Sequence, residues 1–176
     1  MKILLVKFRN IGDVLLTTPL IANLKNNFPD AQIDFSVNKG TESMLTLNPN
    51  LNDIFVYDRQ IIKSYPLLKR LWHEVQFIKS FKKKDYDIVI NLTDGDRGNL
   101  IAWFSNAPLR LGYKNNNFFF KKSITHEMPE QKLRHTVEQN LDPLKALNLS
   151  ISNRSVEIFW SEEDEKIIDQ KLFNVD

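Results

Sequence analysis

The chain has 176 residues, 42% hydrophobic and 26% charged, enough to bury one substantial core and too well mixed for a disordered segment. It has no cysteine, which excludes disulfides, zinc–thiolate sites and a cysteine nucleophile, and its three histidines (His73, His126, His135) are too scattered for a metal site. A net charge of +2 is too small for a dedicated nucleic-acid binder. No apolar run nears the roughly 20 residues of a membrane span, and the start lacks a signal peptide, so a cytoplasmic protein is expected.

The first strand is read at Ile3–Val6, an apolar run buried on both faces as in a parallel sheet. A helix follows, with Gly12 and Asp13 at the junction and Val14, Ile21, Leu24 and Phe28 on its inner side. Pro19 must kink that helix or split it into a short turn and a longer segment. Gln32–Val37 alternates as a second strand, Lys39-Gly40 turns, and a short helix is read from Thr41 through Leu47. Ile54–Tyr57 is a third strand. From Ser64 to Lys84 the pattern is helical, with Leu67, Leu68, Leu71, Trp72, Val75, Ile78 and Phe81 on one wide apolar face. Lys63, Lys69, Arg70, Lys79 and the closing Lys82-Lys83-Lys84 read either as a solvated cationic face or as a surface for anionic headgroups or an anionic substrate.

Asp87–Leu92 is a fourth strand, running into Thr93-Asp94-Gly95-Asp96-Arg97-Gly98 before a helix over Asn99–Ser105. Leu109–Tyr113 is a short strand and Lys114–Asn117 a turn. Phe118-Phe119-Phe120 is an aggregation hazard if exposed, with Lys121 and Lys122 as gatekeepers or part of a basic rim. A helix is read from Arg134 through Leu147, interrupted by Pro143, then a last strand at Val156–Trp160. Ser161–Asp164 has the form of a capping box and opens a helix to about Phe173. Strands alternating with helices predict an α/β fold, a Rossmann-like parallel sheet with helices on both faces.

Two strand ends carry the chemistry. In open α/β sheets ligands bind in the crevice beyond the carboxyl ends of the strands, where a helix start carries roughly half a positive charge. At the first such end, glycine at position 12 lets a ligand approach the backbone, and Asp13 is placed to accept a proton. The plainer reading makes Asp13 a helix N-cap, contributing about 1 kcal/mol. One glycine stands where a dinucleotide fingerprint needs three, so NAD or FAD is not expected. At the second end, Asp94, Asp96 and Arg97 form either a turn with an internal ion pair or an anion reader built on the Arg97 fork.

The stretches Lys7–Pro19, Phe28–Asp34, Tyr86–Leu92, Arg97-Gly98 and His135–Asn140 resemble, in order and spacing, glycosyltransferase family 9, the lipopolysaccharide heptosyltransferases, most of all their heptosyltransferase III branch. The resemblance implies a GT-B arrangement of two Rossmann-like domains facing across a cleft, residues 1–176 being the N-terminal acceptor-binding domain and the C-terminal nucleotide-sugar domain being absent. It implies inverting transfer of heptose from ADP-heptose to the lipopolysaccharide inner core, with no metal and no cofactor. Asp13 would be the general base, a role typically contributing roughly 10² to 10⁴ in rate. Lys7, Arg9, Gly12, Asp94, Asp96, Arg97 and Lys122 would hold the acceptor. His135 and Glu138 match the pattern with no role beyond packing. The enzyme would work peripherally on the cytoplasmic face of the inner membrane, and the chain alone would be inactive. The alternative is a non-catalytic module that binds a glycolipid or a protein.

Overall fold

The computed structural model describes residues 1–114, 117, 120–129 and 134–173. Six strands form one parallel sheet: β1 (Lys2–Lys7), β2 (Gln32–Asn38), β3 (Asp53–Tyr57), β4 (Ile88–Asn91), β5 (Leu109–Gly112) and β6 (His126–Glu127), in the spatial order β3-β2-β1-β4-β5-β6. This is the doubly wound order of Rossmann-type sheets, and the direction of winding reverses between β1 and β4. The turns after those two strands therefore flank the crevice where such sheets take ligands.

β1 is central and buried on both faces because successive side chains alternate. Ile3 and Leu5 join the core formed with Val14, Leu20, Ile21 and Leu24, while Leu4 and Val6 join the core formed with Ile78, Phe81 and Ile101. The first core lies under α1 (Ile11–Leu15) and α2 (Thr18–Asn27), and Pro19 sits in the first turn of α2, where its missing N–H costs no helical bond. The expected split of that helix is thus present. The second core lies under α4 (Leu67–Lys82) and α5 (Asp96–Phe104).

Several elements differ from the sequence reading. The short helix at Thr41–Leu47 is a single 3₁₀ turn, Glu42–Met44. An additional helix, α3 (Arg59–Ser64), forms because the Asp58 carboxylate accepts from the backbone N–H groups of Gln60 and Ile61. α5 starts at Asp96 rather than Asn99. The helix at Arg134–Leu147 is two short ones, α6 (Thr136–Asn140) and α7 (Asp142–Ala146), broken at Leu141 with Pro143 opening the second. Val156–Trp160 is not a strand. Its approach, from Ser150 to Asn153, is tied by Asn23 and Asn27 of α2, and the Glu157 N–H donates to Thr18 Oγ1 at 3.1 Å. The segment crosses a helix instead of joining the sheet edge. α8 (Glu162–Phe173) begins with the predicted capping box: Asp164 Oδ2 accepts from the Ser161 N–H at 2.9 Å, and Ser161 Oγ accepts from the Asp164 N–H at 3.1 Å. Asn115, Asn116, Phe118 and Phe119 lie outside the described residues, while Phe120 is buried.

Candidate functional site

The two turns at the switch point are joined at three places. The Phe8 N–H donates to Thr93 Oγ1 at 2.9 Å, Arg9 pairs with Asp94, and Lys7 lies within electrostatic reach of Asp13, Arg9 and Asp94. The Arg9–Asp94 pair is about half exposed on both sides, so it is screened and weak.

Asp13 is the third residue of α1, with Asn10 at the cap position, so the capping reading is corrected. The chain simply enters the helix three residues earlier than an Asp13 cap requires. Asp13 is half-buried and, among the described residues, its carboxylate makes no hydrogen bond or ion pair. Gly12 before it is exposed, and a Cβ there would meet nothing within 4 Å. The space in front of the helix start is open.

Lys7 lies behind this carboxylate, almost fully buried, with Nζ donating to Asn140 Oδ1 at 3.1 Å. Burial pushes its ammonium below the ordinary lysine value, Asp13 and Asp94 pull it back up, and Arg9 adds to the drop. Asn140 also donates from Nδ2 to the Leu16 carbonyl at 2.8 Å, so one amide ties β1, the end of α1 and α6 together. His135 and Glu138 acquire roles from the same corner. His135 Nδ1 accepts from the Val137 N–H as the α6 cap, and Glu138 pairs with Lys145 and Arg154. Asp142, fully buried at the start of α7, accepts two bonds from Arg134, at 3.0 and 2.6 Å.

The second turn is organised differently. Asp94, Asp96 and Arg97 do not pair with one another, which corrects the internal ion pair. Arg97 instead reaches across to α4 and β3. It donates to Glu74 Oε1 at 2.9 Å and Oε2 at 3.3 Å and to the Tyr57 hydroxyl at 2.8 Å, and its guanidinium carbon lies 3.8 Å from the Tyr57 ring centre. Tyr57 donates its own proton to Glu74. Burial works against the Glu74 charge, but hydrogen bonds from Arg97 and Tyr57 outweigh it and hold the carboxyl below its ordinary value. Burial and the Glu74 bond push the Tyr57 hydroxyl up to about 12, so it stays protonated. α5 fits against this turn because residue 98 is glycine: a Cβ there would collide with the Asn91 side-chain amide, which accepts from the Thr93 N–H.

Beside the second turn opens a cavity of about 310 Å³ lined by Phe8, Tyr57, Thr93, Gly95, Asp96 and Arg97 together with Arg59, Lys63 and Arg70 from α3 and α4. Four cations face one space, at the carboxyl ends of β1, β3 and β4. Arg59 was missed by sequence reasoning; the available signal was Asp58, whose capping starts the helix that presents it. Asp13 does not line this cavity. It stands across the switch point on α1. Lys122 is exposed on the turn after Phe120, where its carbonyl accepts from Arg110 at 3.2 Å, and among the described residues no hydrogen bond or ion pair links it to the switch-point residues. Among the described residues no group of three or more His, Asp or Glu could hold a metal ion.

A doubly wound parallel sheet with an unpaired carboxylate at its switch point and a basic cavity beside it has the form of a Rossmann-type ligand-binding lobe. The chain is 32% identical over 141 residues to lipopolysaccharide heptosyltransferase 3 of Escherichia coli, and 34% identical over 143 residues to that of strain K12. Those alignments take in 78% and 79% of this chain and 40% of each relative, so the chain spans less than half the length of the curated relatives it matches. No family model matches it. In fold it is similar to the crystal structure of a glycosyl transferase family 9 protein from Veillonella parvula, with a TM-score of 0.78 at 24% identity over 99% of this chain and 51% of that one. It is likewise similar to E. coli ADP-heptose lipopolysaccharide heptosyltransferase II, with a TM-score of 0.73 at 19% identity over 100% of this chain and 51% of that one. The resemblance read from the motifs is therefore present in sequence and in fold.

Proposed function

We propose that this chain supplies the acceptor side and the general base of an inverting heptosyltransferase that moves heptose from ADP-heptose to the inner core of lipopolysaccharide at the cytoplasmic face of the inner membrane. The observation that carries the reading is Asp13, a carboxylate left without a partner at the switch point with open space before it. The acceptor hydroxyl gives its proton to Asp13 as its oxygen attacks the anomeric carbon of the sugar. The new C–O bond forms as the bond to the diphosphate breaks, and ADP leaves with that electron pair. No metal enters this scheme.

Lys7 and Asn140 hold β1 and α1 in register behind the base. Arg59, Lys63, Arg70 and Arg97 match an acceptor that carries phosphates or carboxylates, because guanidinium forks and ammonium groups neutralise such anions. The donor would bind to a second lobe facing this one, and the chain alone is expected to be inactive. The test is a transfer assay on the full-length gene product with ADP-heptose and a truncated inner-core acceptor. Heptose added to the acceptor with inverted configuration supports the reading. Acceptor binding without transfer would replace it with the non-catalytic glycolipid module.

A further inference from the structure

The outer face of α4 has no use in the scheme above. Leu67, Leu68, Leu71 and Trp72 are 69%, 82%, 53% and 57% exposed, on a helix whose inner side packs Ile78 and Phe81 into the second core. The sequence periodicity placed all of these on one apolar face. The structure splits them, because only the second half of the helix reaches the sheet. Leu68, Trp72, Val75, Lys79 and Lys82 recur at spacings of four, three, four and three and so form one line along the helix. That line is apolar at its start and cationic at its end.

Charge is concentrated in the same place. From Arg59 to Lys84 there are eight Lys or Arg residues and a single acidic one, a surplus of seven, while the rest of the chain carries a net deficit of five. The one acidic residue, Glu74, is turned inward onto Arg97 and Tyr57. An anionic bilayer surface complements both ends of this line: tryptophan and leucine enter the headgroup boundary while lysine ammonium groups stay among the phosphates.

We infer that α3 and α4 form a membrane-docking surface, with Leu68, Leu71 and Trp72 inserted at the interface and Lys79, Lys82 and Lys83 on the headgroups of anionic phospholipids. It rests on the glycolipid reading above for the choice of a bilayer as partner, and it sets the basic cavity, which shares Lys63 and Arg70 with these helices, close to the membrane plane.

The test is co-sedimentation of the chain with vesicles of phosphatidylglycerol and phosphatidylethanolamine, and with phosphatidylcholine alone, without sugar donor or acceptor. Binding is expected to the anionic vesicles only. Lys79→Gln and Lys82→Gln should each weaken it about fivefold at low salt, and Leu68→Ser with Trp72→Ser more than tenfold. With Trp103→Phe and Trp160→Phe in place, the emission of Trp72 should shift to the blue on binding. The replaced side chains are exposed, and retained far-UV dichroism verifies the fold of each variant. Absent binding, or binding that these substitutions leave unchanged, overturns the inference. So does a dimer of the chain that Leu68→Ser with Trp72→Ser dissociates, since the patch would then be a contact between copies. Asp13→Asn should bind vesicles normally, which separates failure of this surface from failure of the transfer reading.

Discussion

The turns after β1 and β4 look alike in sequence: each follows a buried apolar strand, carries charged residues around one glycine or two, and opens a helix. They end in different states. In the second turn Asp94 pairs with Arg9 and Arg97 with Glu74 and Tyr57, while Asp96, at the start of α5, is exposed and pairs with neither. In the first, Asp13 is left unpaired, half-buried, beside a glycine with empty space in front of it. The proposed base is therefore Asp13, the unpaired carboxylate that is half-buried rather than exposed, while the second turn braces it and forms the wall of the basic cavity.

The sharpest attack on the bracing turn is at Gly98. Gly98→Val must displace the Asn91 amide or lift α5 from β4, an overpacking expected to cost about 3 kcal/mol, read as a loss of unfolding free energy in urea. Glu74→Gln, which weakens the bonds to Arg97 and Tyr57, should cost about 2 kcal/mol at neutral pH. Because the folded Glu74 carboxyl lies below its ordinary value of 4.5, its contribution is fully present above pH 4.5 and is lost as the pH falls through the folded value. Thermal unfolding against pH should accordingly show a shallower acid limb in Glu74→Gln than in the unmodified chain.

Effects at the link and in the first turn should be smaller. Arg9→Ala breaks an exposed pair and should change stability by no more than about 1 kcal/mol in the same urea titration. Gly12→Ala should raise stability by about 0.5 kcal/mol, because residue 12 is helical and its Cβ meets nothing. A loss of acceptor affinity in that variant, without loss of stability, would locate the ligand over this residue.

What could be read from the sequence follows the range of the forces involved. β1, β2, β4 and α4 are visible because apolar runs and helical spacing are local, and the split at Pro19 follows from one missing N–H. Asp13 is visible as a candidate by its place after a buried strand. Its lack of partners is not, since that depends on where every other cation goes. The Arg97–Glu74 pair joins residues 23 positions apart, and the basic cavity needs α3, a helix signalled only by Asp58. Val156, Ile158 and Trp160 alternate as a strand does, but Thr18 takes the Glu157 N–H while Asn23 and Asn27 hold the approach from Ser150 to Asn153, and alternation alone has no means of showing that. β6 is two polar residues long, with no period to detect.

The most direct test of the account is turnover of Asp13→Asn in the full-length gene product, with ADP-heptose affinity measured alongside. A proton acceptor at this position requires transfer to fall by roughly 10² to 10⁴ while donor binding and thermal stability stay at wild-type levels. Near-normal transfer by Asp13→Asn would contradict it, and the base would have to be sought elsewhere.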